Sequence, residues 1–129
     1  MPAFESKEAL EKVLAKLAEL VQSDPAFITA SKGQTLTIGY EFPDLEVSFY
    51  TNFLNGKVEA GLGEPPEEPM IQLTMDSDVL DDVFTGKVAA AKAAMKGDLA
   101  FSGNVMAAMR LQGLMADFTR LYQQAKSSA

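Results

Sequence analysis

Three consecutive segments between residues 35 and 62 alternate apolar and polar side chains with a period of two. The first runs from Thr35 to Phe42 and the second from Val47 to Thr51, with the turn-forming pair Pro43-Asp44 between them. Asn55-Gly56, a strong signal for a type I′ turn, leads into the third segment, from Val58 to Leu62. Because neighbouring residues of a strand point to opposite faces, we predict two successive hairpins with one face on a core and one face in solvent.

Two further strands are predicted after a proline-rich segment. Gly63 to Pro69 contains three prolines, which cannot donate to a β-ladder, so we expect a surface loop there. The alternation resumes from Ile71 to Met75, and Leu99 with Phe101 indicates a short fifth strand before Gly103. The sequence therefore predicts a mostly antiparallel sheet with helices on one face.

Helical patterns flank these strands. Lys7 to Val21 carries apolar residues at helical spacing and charged residues between them, which is typical of an amphipathic helix on a core. Asp24-Pro25 ends that helix, and Pro25 to Ile28 is expected to open a short second turn before Lys32-Gly33. Two more short helices, ended by Gly86 and Gly97, are predicted between the fourth and fifth strands. The predicted class is α+β, with one layer of sheet and one of helices.

The last predicted helix, from about Val105 to Ala125, changes character along its length. Its second half has an ordinary apolar stripe, whereas only Arg110 and Gln112 are strongly polar between Val105 and Met115. Either this first half is buried on more than one side as a core helix, or one of its faces lines a cavity. Residues 126–129 are expected to be a frayed tail.

Composition excludes several classes of function. The chain has no cysteine and no histidine, which excludes disulfides, thiolate nucleophiles and serine–histidine hydrolases. A net charge of −7 argues against nucleic-acid binding and against polybasic docking on anionic membranes. No secretory signal or membrane-spanning run is found, so we expect a cytoplasmic protein with a single domain over residues 1–129.

Paired carboxylates are the remaining candidates for catalysis. Asp76 with Asp78, and Asp81 with Asp82, offer an acid and a base or ligands for a hard metal ion. Capping of a helix N-terminus explains aspartates at these positions more simply. The Asp-x-Asp spacing also lacks the glycine and terminal glutamate of a calcium-binding loop. We therefore expect no enzyme, no metal site and no cofactor.

The order of motifs from Ile71 to Gly113 resembles the sterol carrier protein type 2 (SCP2) family. The resemblance rests on the Asp76-Ser77-Asp78 turn, the helix end at Thr85-Gly86-Lys87, turns at Gly97 and Gly103-Asn104, and the helical sequence Met109-Arg110-Leu111-Gln112. It implies a five-stranded sheet whose inner face, with the last helices, encloses an apolar tunnel. Fatty acyl chains, acyl-CoA, phospholipids and sterols are the ligands that it implies.

We predict nine apolar residues as the lining of this cavity, several of them methionines, whose flexible side chains adapt to different apolar ligands. They are Phe49, Met75, Val83, Phe84, Phe101, Met106, Met109, Met115 and Phe118. Arg110, Lys87, Lys92 and Lys96 are available to pair with a ligand's acidic group, although a solvated helix face also explains these cations.

The predicted function is that of a small soluble lipid-binding or lipid-transfer protein, with transient membrane contact but no stable insertion. The alternative is a non-enzymatic accessory module that presents a lipophilic substrate, such as a quinone intermediate, to a partner enzyme. The C-terminal residues are not the Ser-Lys-Leu type of tripeptide, so peroxisomal targeting is not expected.

Overall fold

The structure is a computed structural model that describes residues 4–33, 35–104, 106, 109 and 113–128. Two helices precede four strands, and two short helices, a fifth strand and a C-terminal helix follow. The elements are α1 (Lys7–Ser23), α2 (Pro25–Ala30), β1 (Thr35–Phe42), β2 (Val47–Leu54), β3 (Val58–Leu62), β4 (Ile71–Met75), α3 (Ser77–Phe84), α4 (Ala90–Lys96), β5 (Leu99–Gly103) and α5 (Met115–Ser128).

The five strands form one sheet in the order β3-β2-β1-β4-β5. β1 pairs with β4 in parallel, and the other three pairings are antiparallel. The predicted α+β fold with a mostly antiparallel five-stranded sheet is therefore confirmed. The two-residue turn at Asn55-Gly56 has positive φ angles at both positions, 51° and 96°, as a type I′ turn requires.

The helices cover the sheet face that carries the larger apolar side chains, which we call the inner face. α1 packs against β3 and α5 through its buried apolar stripe. Ser6 caps the helix, since its hydroxyl accepts a hydrogen bond from the Ala9 N–H at 3.2 Å. The core consequently lies between α1, α5 and the strands β1 to β4.

The outer face of the sheet is not uniformly exposed, in contrast to the prediction. β3 is an edge strand and β4 lies beside β1, so the connection from Gly63 to Pro69 must cross β2 and β1. Pro69 lies against the outer side of Gly39, and the Met70 N–H donates to the Thr37 carbonyl at 2.9 Å. On the same face Thr37 and Asn52 are buried and share a hydrogen bond of 3.0 Å.

The cap of α3 also differs from the prediction. Asp76 occupies the N-cap position, but its side chain accepts no capping hydrogen bond. Asp44, from the β1–β2 turn, instead accepts hydrogen bonds from the Ser77 N–H at 2.9 Å and the Ser77 hydroxyl at 2.6 Å. The start of α3 is thus tied to a turn more than thirty residues earlier in the chain.

The predicted long helix from Val105 to Ala125 is wrong as a single element. Gly113 and Leu114 form a turn, and α5 begins afterwards at Met115. Met106 and Met109 are helical, whereas 105, 107–108 and 110–112 lie outside the described residues. At the other end α5 runs to Ser128, so residues 126–128 form a helical turn in place of the expected frayed tail.

Candidate functional site

The residues predicted to line the cavity fall into two groups in the structure. Five of them are buried and belong to the hydrophobic core, namely Phe49, Met75, Val83, Phe84 and Phe118. Three are exposed: Phe101 by 39%, Met106 by 66% and Met109 by 63%. Met115 is the first residue of α5, and its side chain lies outside the described part of the structure.

The buried group centres on an aromatic cluster between α3 and α5. The rings of Phe84 and Phe118 are stacked with centroids 5.9 Å apart. Phe27 meets Phe118 edge-on at 5.0 Å, and Phe53 lies 5.8 Å from Phe27. Our predicted set omitted Phe27 and Phe53, although Phe53 continues the period-two pattern of Phe49 and Thr51 on the inner face.

A polar contact fastens the same two helices at the edge of this cluster. The Tyr122 hydroxyl donates to Asp81 Oδ1 at 2.8 Å, and Lys126 Nζ lies 2.5 Å from the same oxygen. Burial raises the pKa of the Tyr122 phenol, and its bond to the Asp81 carboxylate raises it further. Asp81 therefore has a structural role, and the arrangement gives no support to Asp81 and Asp82 as a catalytic pair.

Burial of the inner face decreases toward both edges of the sheet. One row of paired residues runs across all five strands, from Leu62 through Phe49, Tyr40 and Leu73 to Phe101. Phe49 and Tyr40 are buried and Leu73 is partly buried, whereas Leu62 and Phe101 at the two edges are exposed by 41% and 39%. The β5 end of the apolar face is therefore open, and Met106 and Met109 follow it in the chain with exposed side chains.

Further exposed methionines lie on the elements before and after β5. Met95 of α4, which packs beside β5, is 88% exposed. Met106 and Met109 are both helical and both exposed. We call Met95, Phe101, Met106 and Met109, which lie on β5 or within six residues of it in the chain, the β5-edge surface. A surface of this composition is suited to apolar ligands or partners.

Two concave regions lie elsewhere in the described structure. One, of about 400 Å³, lies under the proline-rich loop on the outer face and is bordered by Glu41, Glu64, Glu67, Glu68 and Gln72. The other, a groove of about 750 Å³, lies between α1 and α5 and is bordered by Leu20 and Ala116 as well as by Lys16, Arg120, Gln123 and Gln124. The carboxylates of the first region make it less suited to an acyl chain than the β5-edge surface.

Among the described residues, no three His, Cys, Asp or Glu side chains are grouped so that they would hold a metal ion. Within the same part of the chain, no helix combines the length and the hydropathy needed to cross a bilayer.

The sheet order, the helices on one face and the apolar edge define a small α+β domain with exposed apolar side chains at one edge of its sheet. Residues 5–116 match the model of the SCP-2 sterol transfer family, and the chain therefore belongs to this family. The resemblance seen in the motif order is therefore confirmed.

Relatives of known name carry the matching region within longer chains. The chain is 27% identical over 118 residues to hydroxysteroid dehydrogenase-like protein 2 of Danio rerio, covering 89% of this chain and 28% of that protein. It is 31% identical over 71 residues to a linear primary-alkylsulfatase of Pseudomonas, covering 55% of this chain and 13% of that protein. The chain thus spans less than a third of either relative.

Solved structures share the fold over nearly their whole length. Sterol carrier protein 2 from Yarrowia lipolytica, in its apo form, superposes with a TM-score of 0.63 at 22% identity, covering 88% of this chain and 91% of that one. The Aedes aegypti sterol carrier protein 2 in complex with palmitate gives 0.55 at 21% identity, with coverage of 81% and 92%. The ubiquinone synthesis protein UbiJ-SCP2 gives 0.56 at 18% identity, with coverage of 92% and 94%.

Proposed function

We propose that this protein binds a single lipid, with a fatty acyl chain as the simplest ligand, and carries it without catalysing a reaction. The observation that carries this proposal is the open apolar end of the inner sheet face at β5. Phe101 belongs to the same row as buried Phe49 and yet remains exposed, with Met106 and Met109 on the segment that follows β5. Membership of a sterol transfer family supports a lipid as the ligand.

The size of such an apolar contact is sufficient for useful affinity. Burial of one methylene contributes about 0.8 kcal/mol, so about 12 methylenes contribute on the order of 10 kcal/mol before the costs of association. A micromolar dissociation constant corresponds to about 8 kcal/mol. Binding therefore does not depend on a charged anchor, although Lys87, Lys92 and Lys96 are exposed near this end of the sheet and available to an acidic group.

On this proposal the nine predicted residues form the lipid site. The buried members, such as Phe84 and Phe118, supply the closed end, and the exposed members, such as Phe101 and Met109, supply the entrance. On this proposal an acyl chain enters along β5 and displaces contacts within the core. The Aedes aegypti protein, which was solved with palmitate, is the precedent for such a ligand in this fold.

A titration of delipidated protein with a fluorescent long-chain fatty acid tests the proposal. We expect saturable micromolar binding that Met109→Asp weakens at least tenfold. Leu54→Asp is the matched control, because Leu54 is an exposed apolar residue at the end of β2 with its side chain on the outer face. Both variants should keep the circular dichroism spectrum of the parent. Absence of binding by the parent protein would refute the carrier function.

Displacement of the bound probe ranks the ligand classes. Acyl-CoA, a phospholipid and a sterol would each be added to the loaded protein, and the most effective competitor defines the class that fits best. The physiological ligand follows from this ranking and not from the name of the family, because one fold serves several ligands.

The named relatives favour a second candidate function. In both, the matching region is a minor part of a chain named as an enzyme or as enzyme-like. This arrangement is typical of an accessory module that presents a lipophilic substrate to a partner enzyme, and the fold likeness to UbiJ-SCP2 makes a quinone intermediate the natural probe. Displacement of the fatty acid by a short-chain ubiquinone analogue, with no displacement by acyl-CoA, would favour this function.

A further inference from the structure

Two hydroxyl groups lie on the otherwise apolar inner face of the sheet. Tyr40 of β1 and Thr51 of β2 are 4% and 0% exposed, and their hydroxyl oxygens lie 3.2 Å apart. Of the described side chains on this face of β1 to β4, these two alone carry a hydroxyl, amide or charged group. The buried residues of α1, which packs on the same face, are all apolar.

The hydrogen bond between these hydroxyls uses one of their two protons. A hydroxyl has one proton to donate, so whichever group donates, the proton of the other remains available. Within the described structure, neither hydroxyl makes a hydrogen bond besides this one. Buried donors in native proteins nearly always have an acceptor, and the second proton therefore needs an oxygen that these residues do not supply.

The stability of the fold does not account for the pair. Phenylalanine and valine have nearly the same shapes as tyrosine and threonine, and they would leave no polar group to satisfy. Replacement of both partners of a buried hydrogen bond by apolar groups of the same shape is nearly neutral or stabilising. The pair is therefore better explained by a bound molecule that uses the available proton.

The position of the pair agrees with the proposed entrance at β5. Tyr40 belongs to the row of residues that ends at Phe101, with Leu73 of β4 between them. Two strand spacings separate β1 from β5, a distance of about 10 Å. A lipid that enters over β5 thus passes an apolar side chain before it meets these hydroxyls.

We propose that Tyr40 and Thr51 bind the oxygen of an uncharged lipid, a long-chain ketone or alcohol, and so determine which lipids the protein carries. The inference rests on the proposed carrier function and deepens it by naming the polar group of the ligand. One hydroxyl donates to the ligand's oxygen, and the bond between the two hydroxyls orients that donor.

An ionised carboxylate does not suit this position. The described inner face of β1 to β4 carries no cation to pair with it, and an unpaired buried charge is far more costly than an unpaired hydroxyl. A fatty acid accordingly keeps its carboxylate at the surface, and its chain alone enters the core. The proposal therefore predicts that loss of the hydroxyls affects uncharged lipids and spares fatty acids.

Removal of both hydroxyls tests this assignment. Methyl decyl ketone and dodecanoate would each displace the fluorescent fatty acid from the parent and from the double variant Tyr40→Phe with Thr51→Val. We expect the double variant to bind the ketone about fivefold more weakly, the effect of one net hydrogen bond, and to bind dodecanoate within about twofold of the parent. Unchanged binding of the ketone, or an equal loss for dodecanoate, would overturn the proposal.

Two control variants and a second ligand sharpen this comparison. Thr51→Ser keeps a hydroxyl at the site, and Tyr50→Phe removes one from the outer face, so both should bind the ketone like the parent. Dodecanol distinguishes a hydroxyl ligand from a carbonyl ligand, because the double variant should lose more affinity for the better match. A loss in Tyr50→Phe equal to that in the double variant would contradict the assignment.

The infrared spectrum of the bound ketone reports the hydrogen bond directly. A hydrogen bond to a ketone oxygen lowers the C=O stretching frequency, and this band lies apart from the amide bands of the protein. In the parent we expect the band below its position in alkane solution, and in the double variant we expect it to return to that position. A band of the parent complex at the alkane position would overturn the proposal.

Unfolding in urea separates a role in ligand binding from a role in the fold. Without ligand, the double variant should have a midpoint equal to or higher than that of the parent, because a buried donor without an acceptor has been removed. A variant that does not fold, or that unfolds at a lower urea concentration, would assign the pair to the fold and overturn the proposal.

The anchoring and carrier hypotheses fail in different measurements. If the parent does not bind the fluorescent fatty acid, the carrier function is refuted, and this inference with it. If the parent binds the fatty acid and the double variant binds the ketone equally well, the assignment of Tyr40 and Thr51 alone is overturned.

Discussion

At the scale of single residues, Asp81 shows how a carboxylate is held in a largely apolar interior. It is only 6% exposed, and it accepts hydrogen bonds from Tyr122 and Lys126. Its two partners differ in their exposure to solvent. Tyr122 is buried, whereas the Lys126 side chain is 37% exposed. Loss of Asp81 would therefore leave the buried Tyr122 hydroxyl without its acceptor, whereas the Lys126 ammonium could still be hydrated.

This difference predicts an ordering of stabilities. Tyr122→Phe should lower the free energy of unfolding by about 1 kcal/mol, because Lys126 still pairs with the carboxylate. Asp81→Ala should lower it by about 2–3 kcal/mol, because the buried phenol then has lost its acceptor. Urea unfolding followed by circular dichroism measures both. Asp82→Ala is the neighbouring control and should change stability by less than about 0.5 kcal/mol; a larger loss in Tyr122→Phe than in Asp81→Ala would contradict the assignment.

At the scale of elements, the attachment of β5 to β4 depends on a close backbone approach. Gly103 has a φ angle of 124°, in the region that favours glycine, and a Cβ there would lie 2.1 Å from the Met70 carbonyl oxygen. This glycine therefore permits close packing of β5 against the segment that leads into β4. The β5-edge surface is consequently held in place at the end where the proline-rich loop reaches β4.

Substitution of this glycine should be costly for two separable reasons. Gly103→Ala combines an unfavourable φ angle with a clash against backbone, so we expect a loss of about 2–4 kcal/mol or a failure to fold. Gly86→Ala is the matched control, because Gly86 has φ 82° but open space around its Cβ position, and it should cost only about 1 kcal/mol. Thermal unfolding of the two variants compares them. Equal costs would show that the close approach to Met70 is not important.

At the scale of the whole molecule, the sequence predicted the elements better than their long-range relations. The turn at Asn55-Gly56 and the period-two strands depend on neighbouring residues, and the structure contains them. The parallel pairing of β1 with β4 and the hydrogen bond from the Ser77 N–H to Asp44 join distant parts of the chain. No local sequence pattern predicts such contacts. The burial of Thr37 and Asn52 was missed as well, because strand alternation alone predicts that their face of the sheet is exposed.

The candidate site was predicted in part for a similar reason. Apolar identity and helical or strand spacing identified residues on the inner face, and these signals are the same for a core residue and for an entrance residue. Phe84 and Phe101 therefore look alike in the sequence, although one packs in an aromatic cluster and the other lies at an open edge. Only the sheet order, which places β5 at the edge, distinguishes them.

The junction of three helices at Asp24 links this architecture to pH. Asp24 ends α1 and caps α2 through the Phe27 N–H at 2.9 Å, and it pairs with Arg120 of α5 through two hydrogen bonds of 2.8 and 3.3 Å. The Arg120 guanidinium holds the pKa of Asp24 below its ordinary value, with the bond from Phe27 acting in the same direction. The folded state thus favours the ionised carboxylate more than the unfolded state does.

The sign of the pH dependence follows from that shift. A depressed pKa stabilises the fold above the ordinary titration range of aspartate near pH 4, and the contribution disappears as the pH falls through the lower pKa of the folded state. Asp24→Ala should cost about 1 kcal/mol at pH 7 for the cap alone. Asp24→Asn keeps a capping side chain and removes the charge, so its loss of unfolding free energy relative to the parent should be present at pH 7 and vanish toward pH 2.

Asp117→Asn is the control. The Asp117 carboxylate lies 3.4 Å from the same guanidinium, and its replacement should cause a smaller loss. Urea unfolding across this pH range measures these losses. A loss in Asp24→Asn that is independent of pH would mean that the ion pair to α5 does not stabilise the junction.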